Sequence, residues 1–414
     1  MRTLLAAAAS FLSLAACAPA ERETRAEPTL IAAAGSETVE AICSACHTMS
    51  QIVRSSGYSR DHWQELIATM IELPEAEQTE ILDYLAANYP PSHNPRPTTL
   101  VEGPLDVSFE EWTAPQLGQR SRDPVEAPDG SIWWVGQGGN TIGRLNPETG
   151  AMQEWPLPAE ALPHSVNADA QGRIWYMGNG NGTIGLFDPA TGEAREYPMP
   201  DENARDPHTA EFDANGIMWF TLQRSNMIGR FDPESGDIRL VTIARDGARP
   251  YGIKIDANGD PWVACNGSNC LIRVDAETMA LTEIDLPGEG THVRRLDIAD
   301  DGRIWYVNSG LGRLGVHDPS TGDTREWPSP SGPDSHPYAL AVIDGIVWYN
   351  ESGVRPDPLV RFDPATETFQ SWPIPSGNVY AGIIRHMRAD REGRLLLHQG
   401  STNRIIRATL PPAR

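Results

Sequence analysis

The hydrophobic pattern of the chain repeats itself. Tryptophans that follow a turn glycine, Trp133, Trp175, Trp219, Trp262, Trp305 and Trp348, recur every 42 to 44 residues, and Leu396 takes the seventh place after a longer interval. Each unit reads as a strand, a D-x-x-G-like turn, a strand centred on the tryptophan, an N-x-I-G-R-like strand, a D-P-x-T-G turn and an E-W/Y-P-x-P strand. Thr141-Ile142-Gly143-Arg144 matches Met227-Ile228-Gly229-Arg230, and Glu154-Trp155-Pro156 matches Glu326-Trp327-Pro328. Four short strands per unit at this period predict the blades of a propeller, not a helical solenoid. Upstream the pattern changes. Asp61 to Met70 is a helix-like run, and a second helix starts at Pro74 with acidic residues in its first turn and carries Ile81, Leu82, Tyr84 and Leu85 inward.

The ends of the array predict ring closure. The last unit supplies three strands and stops near Leu410, while Glu110 to Pro115 fits the fourth-strand pattern. Residues 108–115 are therefore expected to complete the last of seven blades and remove an exposed edge. The expected fold class is multidomain, a small all-α domain followed by an all-β seven-bladed propeller. Its segments are a signal at 1–16, a flexible stretch at 17–36, the helical domain at 37–91, a Pro-rich linker at 92–107 and the propeller at 108–414.

Composition narrows the function. With 33 basic and 56 acidic side chains the formal net charge is −23, which excludes nucleic acid as an expected partner. Arg2, an apolar run from Leu4 to Leu14 and small residues thereafter read as an export signal. Leu14-Ala15-Ala16-Cys17 resembles the lipobox of bacterial lipoproteins, which implies an acylated Cys17 and a lipid-anchored protein on the periplasmic side of the envelope; cleavage near Ala18 or Ala20 is the alternative. Cys265 and Cys270 flank a short turn between two strand-like runs and are expected to form a disulfide.

Cys43-Ser44-Ala45-Cys46-His47 is a CxxCH motif, with two thiols spaced to add to the haem vinyl groups and a histidine placed to bind iron. Haem c is thus an expected cofactor, with His47 as proximal ligand. Met70 is the favoured donor for the second face, ahead of His62 or an open site. Residues 37–91 resemble a short class I cytochrome c, which implies electron transfer to a redox partner protein.

Aligning the repeats also aligns a ring. Eleven residues before each anchor, ten in the sixth blade, stand Arg122, His164, His208, Tyr251, Arg294, Tyr338 and Arg385. In a propeller these seven side chains meet at one mouth of the central channel. Three arginines, two histidines and two tyrosines there predict a site for an anionic or polyoxygenated small molecule.

The blade pattern, with its P-H/Y-x-x openings, W-centred strands and N-x-I-G-R turns, resembles the virginiamycin B lyase (streptogramin lyase) family of seven-bladed propellers. That family opens a lactone by magnesium-dependent elimination. Leu162-Pro163-His164, Asp206-Pro207-His208 and Arg249-Pro250-Tyr251-Gly252-Ile253 match its three site openings. The resemblance implies that His164 and Asp206 help hold Mg²⁺, that His208 is the general base and that Tyr251 contacts substrate. Arg122, Arg294, Tyr338 and Arg385 would bind substrate beside them. The chain departs from the family in having Asp206 where glutamate is usual. It also lacks the glutamate of the W-F-T-E strand motif in most blades; only Trp348-Tyr349-Asn350-Glu351 keeps it. Three functions are open on this reading: a haem-linked electron-transfer protein whose propeller binds and transforms its ligand, a Mg-dependent carbon–oxygen lyase with accessory haem, and a binding propeller without catalysis.

Overall fold

The computed structural model describes residues 28–45, 48–289, 292–379 and 384–412. The repeat builds seven antiparallel sheets of four strands each. The first six take four consecutive strands; in the first these are Ser121–Glu126, Ile132–Gly136, Thr141–Leu145 and Met152–Pro156. The seventh joins Met387–Ala389, Leu395–Gln399 and Arg404–Thr409 to Ser108–Thr113 from the start of the array, paired from Ser108 with Thr409 to Thr113 with Arg404. The innermost strands of neighbouring blades pack against each other around the central channel.

The repeated residues have local reasons. The turn aspartate both closes its turn and holds the anchor: Asp169 Oδ1 accepts the Gln171 and Arg173 amides, and its Oδ2 accepts Trp175 Nε1 at 2.9 Å. Asp213 and Asp256 do the same for Trp219 and Trp262. The glycine of the I-G-R strand lies across from a large ring on the preceding strand. A Cβ at Gly143 would stand 2.2 Å from Trp134, and one at Gly185 2.0 Å from Tyr176, so no other residue fits. The six anchor tryptophans are buried between blades, where burial of each ring contributes on the order of 3 kcal/mol.

The expectation of a separate all-α cytochrome c domain is corrected by the structure. Upstream of the propeller lie four short α-helices, α1 (Ser36–Cys43), α2 (Met49–Val53), α3 (Arg60–Ala68) and α4 (Glu75–Asn88), around a small apolar cluster that includes Trp63, Ile81 and Leu85. They do not stand as a second body. The Ser56 amide donates to the Asn378 carbonyl, and Asn403 Nδ2 donates to the Thr69 carbonyl at 2.8 Å. The Pro-rich stretch is laid on the propeller as well: Thr98 N donates to Arg355 O, Arg355 N to Arg96 O, and Val101 N to Ser371 Oγ. The molecule is an all-β propeller with a short helical segment bound to its sixth and seventh blades. Among the described residues no helix is long and apolar enough to cross a membrane.

Candidate functional site at the channel mouth

Four of the innermost strands enter the channel through a tight bend. Arg120, Leu162, Arg249 and His336 have positive φ of 55°, 38°, 53° and 49°, and each stands two residues before an opening residue of the ring. All seven opening residues, Arg122, His164, His208, Tyr251, Arg294, Tyr338 and Arg385, line one cavity of about 1230 Å³. Arg120, Arg205 and Arg224 join them from the rim, so six arginines face this space. Among the described residues its single carboxylate is Asp206.

Asp206 is already occupied. Its Oδ2 accepts the Arg224 amide at 2.6 Å, and its Oδ1 accepts Ser225 Oγ at 2.7 Å and the Ser225 amide at 3.1 Å. His164 is equally engaged: Nδ1 donates to the His208 carbonyl at 3.1 Å, which leaves Nε2 to accept Arg122 Nη1 at 3.1 Å. The strand facing Asp206 ends in Leu222, fully buried, where the W-F-T-E motif would supply a second carboxylate. Glu351, which keeps that motif, is buried and bonded to Ser329 and Ser331. The donors therefore do not fit Mg²⁺, and among the described residues no three His, Cys, Asp or Glu converge as metal ligands.

What the mouth does assemble is a cationic, aromatic acid–base cluster. The His164 and His208 ring centres lie 3.5 Å apart with the planes tilted by 30°, and the His208 ring centre lies 4.4 Å from that of Tyr251. Burial, and then the neighbouring positive charges, push both histidines well below the usual imidazole range, so both are neutral. His208 Nδ1 is paired with Thr209 Oγ1 at 2.9 Å, and Nε2 is the nitrogen left for a ligand. Tyr251 and Tyr338 share a 2.6 Å hydrogen bond between hydroxyls. Burial and the adjacent Arg385 and Arg120 pull Arg122 down to about 9. A guanidinium held this uncomfortably is a strong attractor for an anion.

A second ring lies below the first, and the repeat alignment did not find it. The inner strand is bulged after its opening residue in five blades, which turns the following residue towards the channel too. In the first, third and fifth blades these are Asp123, Thr209 and Arg295, and in the fourth and sixth Gly252 and Ala339; His386 follows the opening residue of the seventh. Arg295 Nη1 donates to Thr209 Oγ1 at 3.0 Å, and the Asp123 amide donates to His398 Nδ1 at 3.1 Å. The signal in the sequence is a polar residue after the opening at Asp123, Thr209, Arg295 and His386, which a regular strand would have turned into the blade.

In the helical segment, Cys43 and Met70 are half-buried against the same apolar cluster. Cys46, His47 and Cys17 lie outside the described residues. Cys265 and Cys270 form a disulfide across a hairpin, with Cα atoms 5.4 Å apart.

Fold and site together define a seven-bladed propeller with a polar cavity at one channel mouth. Residues 103–274 match the Virginiamycin B lyase family. Among solved structures, the chain resembles selenomethionine-substituted virginiamycin B lyase from Staphylococcus aureus, with a TM-score of 0.66 at 22% identity over 74% of this chain and 100% of that one. It is similar to a streptogramin B lyase structure to the same degree, over 73% of this chain and 98% of that one. A catalytically inactive variant of the S. aureus lyase, solved with quinupristin, gives a TM-score of 0.65 at 22% identity over 74% of this chain and all of that one. No curated protein matches the sequence. At this identity the structural likeness establishes the fold alone, a seven-bladed propeller.

Proposed function

We propose that the protein is a carbon–oxygen lyase-like enzyme that takes an anionic, polyoxygenated small molecule at the arginine-lined mouth and acts on it by acid–base chemistry of its own side chains. The observation that carries this reading is the charge of the cavity: six arginines against one carboxylate that is spent on backbone amides, in a chain of net charge −23. A ligand anion makes the charge-assisted bonds that this lining offers. Arg122→Ala and Arg385→Ala are each expected to weaken binding of citrate, used as a polycarboxylate probe, by at least tenfold in calorimetry. Loss of a hydrogen bond to a charged group is worth about 1.5–3 kcal/mol. Arg273→Ala, on the outer face, is expected to leave the affinity unchanged. Equal citrate affinity in all three variants would remove the ligand site from this mouth.

A haem-linked oxidoreductase is the second reading, favoured by the position of Cys43 and Met70 on one apolar cluster beside the CxxCH motif. Cys43 and Cys46 would carry the group, His47 and Met70 would donate to its iron, and haem would supply one-electron transfer to a redox partner. The export signal and a lipid on Cys17 would hold the protein at the periplasmic side of a membrane. The expected result is a pyridine haemochrome spectrum from protein matured in a haem c-competent host. Cys43→Ala should lose one of the two covalent bonds, and Met70→Leu should lower the reduction potential. Protein from such a host without bound haem would end this reading.

A further inference from the structure

Tyr251, Arg294 and Tyr338 open the inner strands of the fourth, fifth and sixth blades, so the arginine sits between the two phenols. Tyr251 Oη lies 2.6 Å from Tyr338 Oη, and Arg294 Nη1 donates to the same Tyr338 oxygen at 3.3 Å. The Arg294 guanidinium also stands 4.5 Å from the centre of the Tyr338 ring. One oxygen thus receives a guanidinium N–H and can receive a phenol O–H, the arrangement that stabilises a phenolate. We propose that Tyr338 is the proton-accepting catalytic residue of this mouth, with Tyr251 and Arg294 holding its charge, and that the substrate is a carboxylate whose neighbouring C–H it deprotonates. This rests on the lyase reading above.

The groups facing Tyr338 are Tyr251 from the fourth blade, Arg294 and Arg295 from the fifth, His336 just before it in the chain and Arg385 from the seventh. Among the described residues that line the cavity, the one carboxylate is Asp206, and its oxygens are taken. Burial pushes the Tyr338 phenol up, but Arg294 and Arg385 outweigh it and bring it down to about 8. Tyr251 is pushed the other way, up to about 12, by burial and by Tyr338 itself. The pair therefore divides into one acid and one base. His208 does not compete for the base role, because burial and the surrounding arginines oppose the charge it would take on.

The chemistry balances without an oxidant or reductant. The carboxylate docks on the arginines, which acidifies the adjacent C–H. The proton passes to Tyr338 Oη, the C–H pair becomes the new C=C, and the C–O bond one carbon further breaks with its electrons on oxygen. That alkoxide takes the proton back from Tyr338, giving an unsaturated carboxylate and an alcohol. Glycuronates combine the three required features: a carboxylate, an acidic C–H beside it and an oxygen leaving group one carbon away.

Ultraviolet difference titration tests the ionisation without any substrate. Of the ten tyrosines one is expected to ionise about two pH units before an ordinary phenol, and this early step should vanish in Tyr338→Phe and move up in Arg294→Ala, with circular dichroism unchanged. An early step that survives in Tyr338→Phe, or no step below pH 9.5 in the wild-type protein, overturns the proposal. Oligogalacturonate is the turnover probe, read by the absorbance of the unsaturated carboxylate. Tyr338→Phe should lower kcat by about 10²–10⁴-fold with KM little changed. Full turnover in that variant overturns the catalytic role. Binding of the probe without turnover, with the tyrosinate step intact, overturns the lyase reading and leaves the ionised Tyr338 standing.

Discussion

Stability is expected to fall steeply as the pH drops from 7 towards 6. Five histidines, His164, His208, His336, His386 and His398, are held below their ordinary range, chiefly by burial and then by nearby positive charges. In the unfolded chain the same side chains titrate near 6.5. Folded pKa values below unfolded ones mean that only the unfolded state takes up protons as the pH drops through 6.5, so the stability is present above that value and is lost below it. By pH 6 the loss is about 0.8 kcal/mol for each histidine and about 4 kcal/mol together, a large share of a typical domain's net stability. Burial raises the carboxyls of Asp123, Asp297 and Asp357, the last to about 6, and these act in the opposite sense. The decline should therefore steepen as the pH passes through 6.5, with these carboxyls reducing the slope as the folded state takes up their protons. Urea unfolding across this range measures the slope. A double substitution, His386→Gln with His398→Gln, should reduce it by about two fifths, and an unchanged slope would refute the assignment.

The second large effect is expected at the seam of the ring. Ser108–Thr113 is the outer strand of the seventh blade and pairs with Arg404–Thr409 along its whole length. Trp112 packs beside Ala114, Ile132 and Ile405, and its ring receives the Arg407 guanidinium at 5.3 Å. Deleting residues 108–113 would bare the edge of Arg404–Thr409 and disconnect the helical segment from its own blade. The expected outcome is loss of a single cooperative melting transition, with aggregation on warming. Trp112→Ala keeps the ladder but removes the ring, at a cost of about 3 kcal/mol. Melting of the deletion variant at the wild-type temperature would show that the seam does not hold the ring.

How much of this was written locally can be judged residue by residue. The repeat was readable because each of its marks solves a short-range problem: Asp169 serves a turn and a tryptophan six residues on, and Gly143 makes room for Trp134 on the neighbouring strand. Contacts of that range leave a fixed spacing in the chain. The ring of opening residues was readable for the same reason, since symmetry carries one position of each blade to one mouth.

Other features were decided only by the tertiary structure. Whether Asp206 is a metal ligand or a loop cap depends on where Arg224 and Ser225 place their amides, 18 and 19 residues away, and the sequence pattern is the same in either case. The bulges that bring Arg295 and Asp123 into the channel leave no mark in hydrophobic alternation. The helices were readable as helices, yet their standing as a separate domain was settled by bonds from Ser56 and Thr69 to Asn378 and Asn403, more than 300 residues downstream. The sequence by itself determined the strands, the turns and the blade count, because these follow from period and local side-chain fit. The state of each buried polar group was left to the fold, since a carboxylate or phenol takes its role from the charges that distant segments bring within a few ångströms.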